Sequence, residues 1–433
     1  MKNKNIKIIM LAALLSVTLL QLSCKKDYTD PTRATEDQVF SSAKGLTGAV
    51  VGLQRVYTLG RASTLYNLIT INGLTTNELI VVNTGNTAEV QLAAGGTLVD
   101  GNHSMLTTYW TTCNKAVYDA DLVITNANNL SDKNYASGLI AYASIFKAMS
   151  IADMAQFWEK VPVGTGTNVT FIDRVEGFKK AIAVIDNAIT TITVNTISSS
   201  FISSVPAGID IGNTLNALKA RYSLYAGLYT QALAAANAVT LSIKSTFNFD
   251  ALSLNPIFEV ATSTNNVVQP KDSTLGLVPA LAPSLTDGRI LFYTSINPTV
   301  APRYRINGFG NGVATAIPVY LPGEITLIKA ECYARSNDST NSKTFLNAVI
   351  TKTAAADPFG VGANQPAINS FGSYAALLDE IYKQRCIELF MSGQKLEDMR
   401  RFARPTTERK RNLMPYPLRE RDNNPNTPAD PPF

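Results

Sequence analysis

Histidine is almost missing from this 433-residue chain: His103 is the only one. Ser-His-Asp and Cys-His nucleophilic systems are therefore excluded unless that residue serves, and it lies in a Gly-Asn-rich stretch without an evident acid or nucleophile in register. Metal-type spacings of Cys and His are missing with it, so no metal centre and no cofactor are expected. Cysteine is sparse too. Of the four, Cys113, Cys332 and Cys386 each fall inside an apolar helical pattern, where a thiol behaves as a small buried hydrophobe, so no disulfide framework follows. Charge is also low, at 16% of residues with a net +5. Nonspecific phosphate binding needs clustered cations, and the one dense cluster, residues 400–421, is interleaved with Glu408 and Glu420, so nucleic acid is not an expected partner. Gly308, Gly310 and Gly312 lack the strand-to-helix context of a dinucleotide fingerprint.

One long apolar run exists, at residues 8–20. It follows Lys2, Lys4 and Lys7, is too short for a permanent transmembrane helix, and leads to Ser23-Cys24, the pattern of a lipoprotein signal over residues 1–23. Cleavage before Cys24 would leave a thiol for diacylglycerol and an amine for a further chain, each buried CH2 contributing roughly 0.8 kcal/mol to anchoring. Removing the three lysines takes the net charge from +5 to +2.

The remainder is dominated by apolar residues at spacings of three and four. Helices are expected over 42–57, 109–128, 136–158, 174–192, 214–226, 229–243, 323–335 and 343–355, and they fall into four successive pairs. Within LNALKARYSLYAGLYTQALAAANAV, Gly227, Tyr229, Ala232 and Ala236 resemble the turn of a tetratricopeptide repeat, where a glycine ends one helix and alanines let the next pack closely. Trp110 and Trp158, the two tryptophans, sit at helical spacing and read as core. Residues 60–102 are rich in Thr, Asn and Gly and read as a long loop with short extended pieces, a candidate binding surface that includes Asn77 and Glu78. Residues 245–321 break the helical rhythm with proline and aromatics. Rings stack on the C–H faces of sugars while Asn and Arg serve hydroxyls, so Tyr293, Arg303, Tyr304 and Phe309 are candidate ligand contacts there, with most other rings expected to pack the segment down.

Residues 374–404 carry the most informative pattern. Leu377, Leu378, Ile381, Arg385, Glu388 and Leu389 share one helix face, and Arg385 and Glu388, three apart, are expected to form a structural ion pair. Gly393 interrupts the helix before a second turn set carrying Leu396, Asp398, Arg400 and Arg401. Ile381, Arg385, Glu388, Leu389, Gly393, Asp398, Arg400 and Arg401 resemble the C-terminal signature of the SusD/RagB family, the starch-utilisation-type nutrient-binding lipoproteins of the Bacteroidetes outer membrane. Gln384, Ser392, Lys395 and Leu396 depart from it. Tyr416, Pro417 and Glu420 are similar to the family's ending, and Trp110 to its second helix.

The resemblance implies a mainly α fold: tetratricopeptide-like helix pairs forming a curved scaffold over about 40–244 and 322–404, a large irregular capping insertion with short strands over about 245–321, and a tail at 405–433, all in one domain from residue 24. It also implies a nonenzymatic protein anchored in the outer membrane through acylated Cys24, exposed at the cell surface. Such a protein would bind a glycan or oligosaccharide and deliver it to a TonB-dependent SusC-like transporter. A peptide- or protein-capture scaffold of the same kind of uptake complex is the alternative, since helix-pair solenoids present concave surfaces. A surface glycoside hydrolase is a third reading, but Asp379-Glu380, Glu397-Asp398 and Glu78 fit solvated faces or scaffold positions better than paired acid–base carboxylates.

Overall fold

The computed structural model describes residues 39–263, 266–299 and 301–432. The signal segment and Cys24 lie outside the described residues. From the N-terminal side the chain runs through α1 (Ala43–Thr58), α2 (Thr64–Thr75), β1 (Leu79–Val81), α3 (Thr87–Ala94), α4 (Ser104–Ala127) and α5 (Lys133–Phe157). It continues through the hairpin β2 (Lys160–Pro162) and β3 (Phe171–Asp173), then α6 (Arg174–Val194), α7 (Ser199–Ile202), α8 (Ile211–Tyr225) and α9 (Tyr229–Asn237). Ser42, Ser63, Asp132 and Asp210 cap their helices by accepting a backbone N–H in the first turn, which fixes where each begins.

After α9 come the short strands β4 (Thr246–Phe247) and β5 (Val268–Pro270), the turn of helix α10 (Gly288–Tyr293), the hairpin β6 (Thr294–Ile296) and β7 (Tyr304–Ile306), and β8 (Ile317–Pro318). Helices return with α11 (Pro322–Arg335), α12 (Ser339–Ile350), α13 (Tyr374–Glu388), α14 (Lys395–Arg401) and α15 (Leu418–Asn423). The fold is mainly α, and the paired helices read from periodicity pack as pairs: α1 on α4, α5 on α6, α8 on α9 and α11 on α12. Each pair also packs on the next, α4 on α5, α6 on α8 and α9 on α11, which is how pairs too small to bury their own apolar faces share a core. Gly227, at φ +73, makes the turn between α8 and α9, a backbone position that a residue with a Cβ rarely adopts.

Helix α5 is at the centre. It is long and apolar enough to cross a membrane, but 94% of its most apolar window is buried inside the protein, so it is a core helix. Trp110 and Trp158 are core as expected: their indole N–H groups donate to Glu420 Oε2 at 3.0 Å and to the Pro415 carbonyl at 2.9 Å, which satisfies the one polar atom of each ring. Antiparallel strand pairing ties the irregular segment to the scaffold through β1 and β5 and joins the segment's own two ends through β4 and β8.

Two expectations are corrected. Residues 60–102 are not a long loop, because they contain α2, every residue of which is buried. A helix enclosed on all sides has no polar face, so it shows no amphipathic period. Three of its Thr and Asn side chains bond backbone: Asn67 Nδ2 donates to the Ser63 carbonyl, Thr75 Oγ1 to that of Ile71, and Asn72 Nδ2 to that of Gly393 at 2.8 Å. The second correction concerns Arg385 and Glu388, which do share the buried face of α13 but are not paired with each other. Arg385 Nε reaches Asp398 of α14 at 2.8 Å. Glu388 is held by Arg289 Nη1 at 3.0 Å and Lys352 Nζ at 2.7 Å. Both are fully buried, and in that setting a charge is held by the neighbouring elements that surround it rather than by a residue on its own helix surface.

Candidate functional site

Between α13 and α14 the chain turns through two left-handed residues, Met391 at φ +58 and Gly393 at φ +78. Only strong packing keeps a methionine in that region. The bond from Asn72 to the Gly393 carbonyl pins this turn against α2, and the turn forms one wall of a cavity where the scaffold meets the irregular segment. Its mouth is set by the half-buried Asn307, Phe309, Pro318, Met391 and Ser392. Phe247, Ile257, Tyr320 and Phe390 make apolar walls, and Asp153, Gln156, Arg221 and Glu324 make a polar floor.

The floor is rich in acceptors. Arg221 is taken up by a two-point pair with Glu324, Nη2 to Oε2 at 2.7 Å, and by the Val319 carbonyl at 2.8 Å. Asp153 receives the Tyr57 hydroxyl at 2.8 Å and a longer amide contact from Gln156 Nε2. Burial pushes its carboxyl up to about 7, with the Tyr57 bond and the Arg221 charge opposing. Gln156 Oε1 and Ser392 Oγ are buried atoms with no hydrogen-bond partner in the protein. A cavity with such groups suits a hydroxyl-bearing ligand, since each unpaired acceptor costs free energy until a donor arrives. Its interior is about 80 Å³. At about 30 Å³ per water in the liquid, that holds a few waters or the end of a ligand, not a saccharide laid flat.

Further aromatic rings adjoin Phe309 at the mouth. Phe309 packs edge-on against Phe292 and Phe359, with centroids at 5.2 and 5.9 Å, and all three rings are half-buried. Lys244 Nζ stands 5.4 Å from the Phe359 centroid, a cation held over a ring face.

The candidate residues separate on this geometry. Tyr293 and Phe309 come together, centroids 6.1 Å apart, and both line the cavity. The Tyr293 hydroxyl, however, donates to the Glu388 carbonyl and the residue is buried, so only its ring faces the cavity. Arg303 is exposed and Tyr304 half-buried on the β6–β7 hairpin, where Tyr304 stands opposite Ile296. Asn77 and Glu78 precede β1 and do not line the cavity. The Asn77 amide is spent on the Glu408 carbonyl at 3.0 Å. Glu78 is only 1% exposed and belongs to the interior rather than to a ligand surface, a correction to its reading as a loop contact. Desolvation raises its carboxyl to about 7 against the opposing charge of Lys395. Phe247, Phe249, Phe258, Phe292, Tyr293, Tyr304, Phe309 and Tyr320 are all buried or half-buried.

Asp153, Gln156, Arg221 and Glu324 were not anticipated as site residues. One signal for them exists: Asp153 and Gln156 interrupt the apolar stretch of α5, and a polar residue inside such a run is buried with a partner or a purpose. His103 caps α4, its Nδ1 accepting from the Leu106 N–H and its Nε2 lying 2.9 Å from the Ala88 carbonyl. Burial lowers its pKa, so the neutral ring is structural. The three described cysteines are free and buried. Burial pushes Cys332 and Cys386 up to about 12, which leaves no thiolate for chemistry.

Residues 310–430 match the SusD family. No curated protein matches the chain in sequence. Solved structures share the fold over most of its length. A SusD superfamily protein from Bacteroides vulgatus superposes with a TM-score of 0.67 at 11% identity, covering 90% of this chain and 99% of its own. A SusD-like carbohydrate binding protein from Bacteroides fragilis gives 0.65 at 15% identity, over 84% of this chain and 87% of its own. A chitin-binding SusD homolog from Flavobacterium johnsoniae gives 0.65 at 16% identity, over 90% and 97%. Identities this low carry the fold and leave the ligand open.

Proposed function

We propose that this chain, whose residues 310–430 match the SusD family and which shares the fold of SusD superfamily structures, is a member of that family and a nonenzymatic glycan-binding lipoprotein of the outer-membrane surface. It takes up an oligosaccharide at the junction of scaffold and irregular segment and passes it to a TonB-dependent SusC-like transporter. The observation that carries this reading is the combination at one place of an acceptor-lined cavity with unpaired Gln156 Oε1 and Ser392 Oγ and a half-buried aromatic edge, Phe292, Phe309 and Phe359. A sugar matches both halves: its C–H face covers a ring while its hydroxyls donate to the acceptors. Two of the similar solved structures are described as carbohydrate-binding and chitin-binding, which supports the same ligand class here. The cavity's size gives a mode: the end of the glycan enters and the adjoining rings lie along the aromatic edge. Binding on such a preformed surface needs no turnover, and uptake energy would come from the transporter.

Calorimetry tests this. The full chain in a non-glycosidic detergent is titrated with malto-, cello-, xylo-, manno- and chito-hexaoses and with a set of peptides. Saturable binding to one glycan class, weakened roughly tenfold by Phe309→Ala, is expected, since loss of one stacking ring is worth about 1 kcal/mol beyond its buried area. Arg303→Ala and Tyr304→Ala report whether the hairpin belongs to the same surface. Binding of a peptide and of no glycan would overturn the reading in favour of a peptide-capture scaffold.

A further inference from the structure

A second concave surface lies elsewhere on the scaffold. Helix α4 buries Trp110, Cys113 and Val117, and the flank next to that buried face presents Thr107, Thr111, Asn114 and Tyr118, spaced three and four apart and therefore aligned. This stripe is one wall of an open groove. The β2–β3 turn, with Gly164, Thr165 and Gly166, makes a second wall, and Arg419, Glu420 and Asn423 of α15 make the third. The groove measures about 620 Å³, inside the roughly 300–1,000 Å³ usual for ligand sites and far larger than the cavity at the scaffold junction.

Its chemistry is that of a sugar site. Tyr118 is 45% exposed and stands on the wall. A single exposed tyrosine is ordinary on any surface; here it borders a groove whose floor holds Pro162, Pro417 and the edge of Trp110. The floor is rigid, because Glu420 Oε2 holds the Trp110 indole N–H at 3.0 Å and Glu420 Oε1 accepts from Asn424 at 3.0 Å. The hydroxyls of Thr107 and Thr111 and the amide groups of Asn114 and Asn423 surround it; the two Nδ2 groups donate to the Trp110 and Arg419 carbonyls, which orients the amide oxygens as acceptors. Charges of both signs are present, Lys115 paired with Asp119 at 2.6 Å and Arg419 beside Glu420, so the groove does not favour a polyanion.

We infer that this groove is a second carbohydrate site, separate from the cavity, which takes a neutral saccharide with one ring stacked on Tyr118. The inference rests on the reading of the protein as a glycan binder. The sugar would bridge the α4 stripe and α15, its apolar face on the tyrosine and its hydroxyls among the threonine and asparagine groups.

The test uses the full chain in a non-glycosidic detergent, the same five hexaoses and polygalacturonate, with wild type, Phe309→Ala, Tyr118→Ala and the double variant compared by calorimetry. Tyr118 is exposed, so its replacement leaves the core intact. The expected result is that Phe309→Ala retains saturable binding to a neutral hexaose and that adding Tyr118→Ala weakens this residual binding roughly tenfold. A wild type with one site per chain whose affinity is unchanged by Tyr118→Ala overturns the groove while leaving the proposed function standing. Tighter binding of polygalacturonate than of any neutral hexaose, lost in Tyr118→Ala, overturns the neutral class. If no saccharide binds any variant, the groove and the glycan reading fall together.

Discussion

At the scale of single residues, the interior holds two carboxyls that folding makes harder to ionise, Glu78 and Asp153, each pushed to about 7 chiefly by burial. For Glu78 the unfolded value is near 4.5. Between about 4.5 and 7 the folded chain therefore binds a proton that the unfolded chain has released, and stability falls as pH rises through that window. A shift of this size corresponds to roughly 3 kcal/mol. Glu78→Gln keeps the shape and removes the charge. It should match wild type in urea midpoint at pH 4.5 and exceed it at pH 8, by up to roughly 3 kcal/mol; equal midpoints at pH 8 would show that the carboxylate is not desolvated. The same residue marks a limit of legibility. In a run of Thr and Asn it looks like a loop contact, but Lys395 and the Met391 backbone, more than 300 positions further on, enclose it. Ligand-type residues are recognised by type and exposure, and exposure is decided by partners distant in sequence.

At the scale of elements, helices with one apolar stripe were legible and the helix without one was not. The pairs α1 with α4 through α11 with α12 follow from the 3.6-residue period and from Gly227. Helix α2 is buried all round, so its sequence carries no phase to read. The signature helix α13 was also legible as a helix, but the partners of its charges were not. Arg385 and Glu388 reach Asp398, Arg289 and Lys352, and Arg289 and Lys352 lie on elements whose approach only the fold decides. That approach is close: a Cβ on Gly323, in the first turn of α11, would overlap the Glu388 carboxylate. Gly323→Ala should therefore destabilise the protein by roughly 1–3 kcal/mol, the usual range for overpacking, visible as a lower thermal midpoint. In contrast Gly52→Ala on α1, where a Cβ meets nothing, should be neutral or stabilising by a fraction of a kcal/mol. Helix propensity favours alanine at both positions, so a Gly323→Ala that is no less stable than Gly52→Ala would mean that the approach of Glu388 does not set the effect.

At the scale of the whole molecule, the proposed role depends on where the chain is held. A surface receptor that hands its ligand to a pore must stay beside the pore between captures, and the described body offers no membrane-crossing helix for this, since the one candidate, α5, is buried in the core. On the proposed reading the anchor would be an acylated Cys24, which lies outside the described residues and follows the basic and apolar run of residues 2–20. One acyl chain gives marginal and reversible binding, while a diacylglycerol thioether with a further chain on the amine is retained firmly, at roughly 0.8 kcal/mol per buried CH2. Expressed in a bacterium with an outer membrane, the wild-type chain should sediment with membranes through a carbonate wash and gain the mass of a lipid on its N-terminal peptide. Cys24→Ala should leave the washed membrane fraction while keeping the helical circular dichroism of the wild type, because the paired helices begin only at Ala43 and draw nothing from the anchor. Retention of that variant after the wash would remove lipid as the tether and shift the burden to a protein contact with the transporter, a contact that high salt would weaken if it is ionic and leave unchanged if it is apolar.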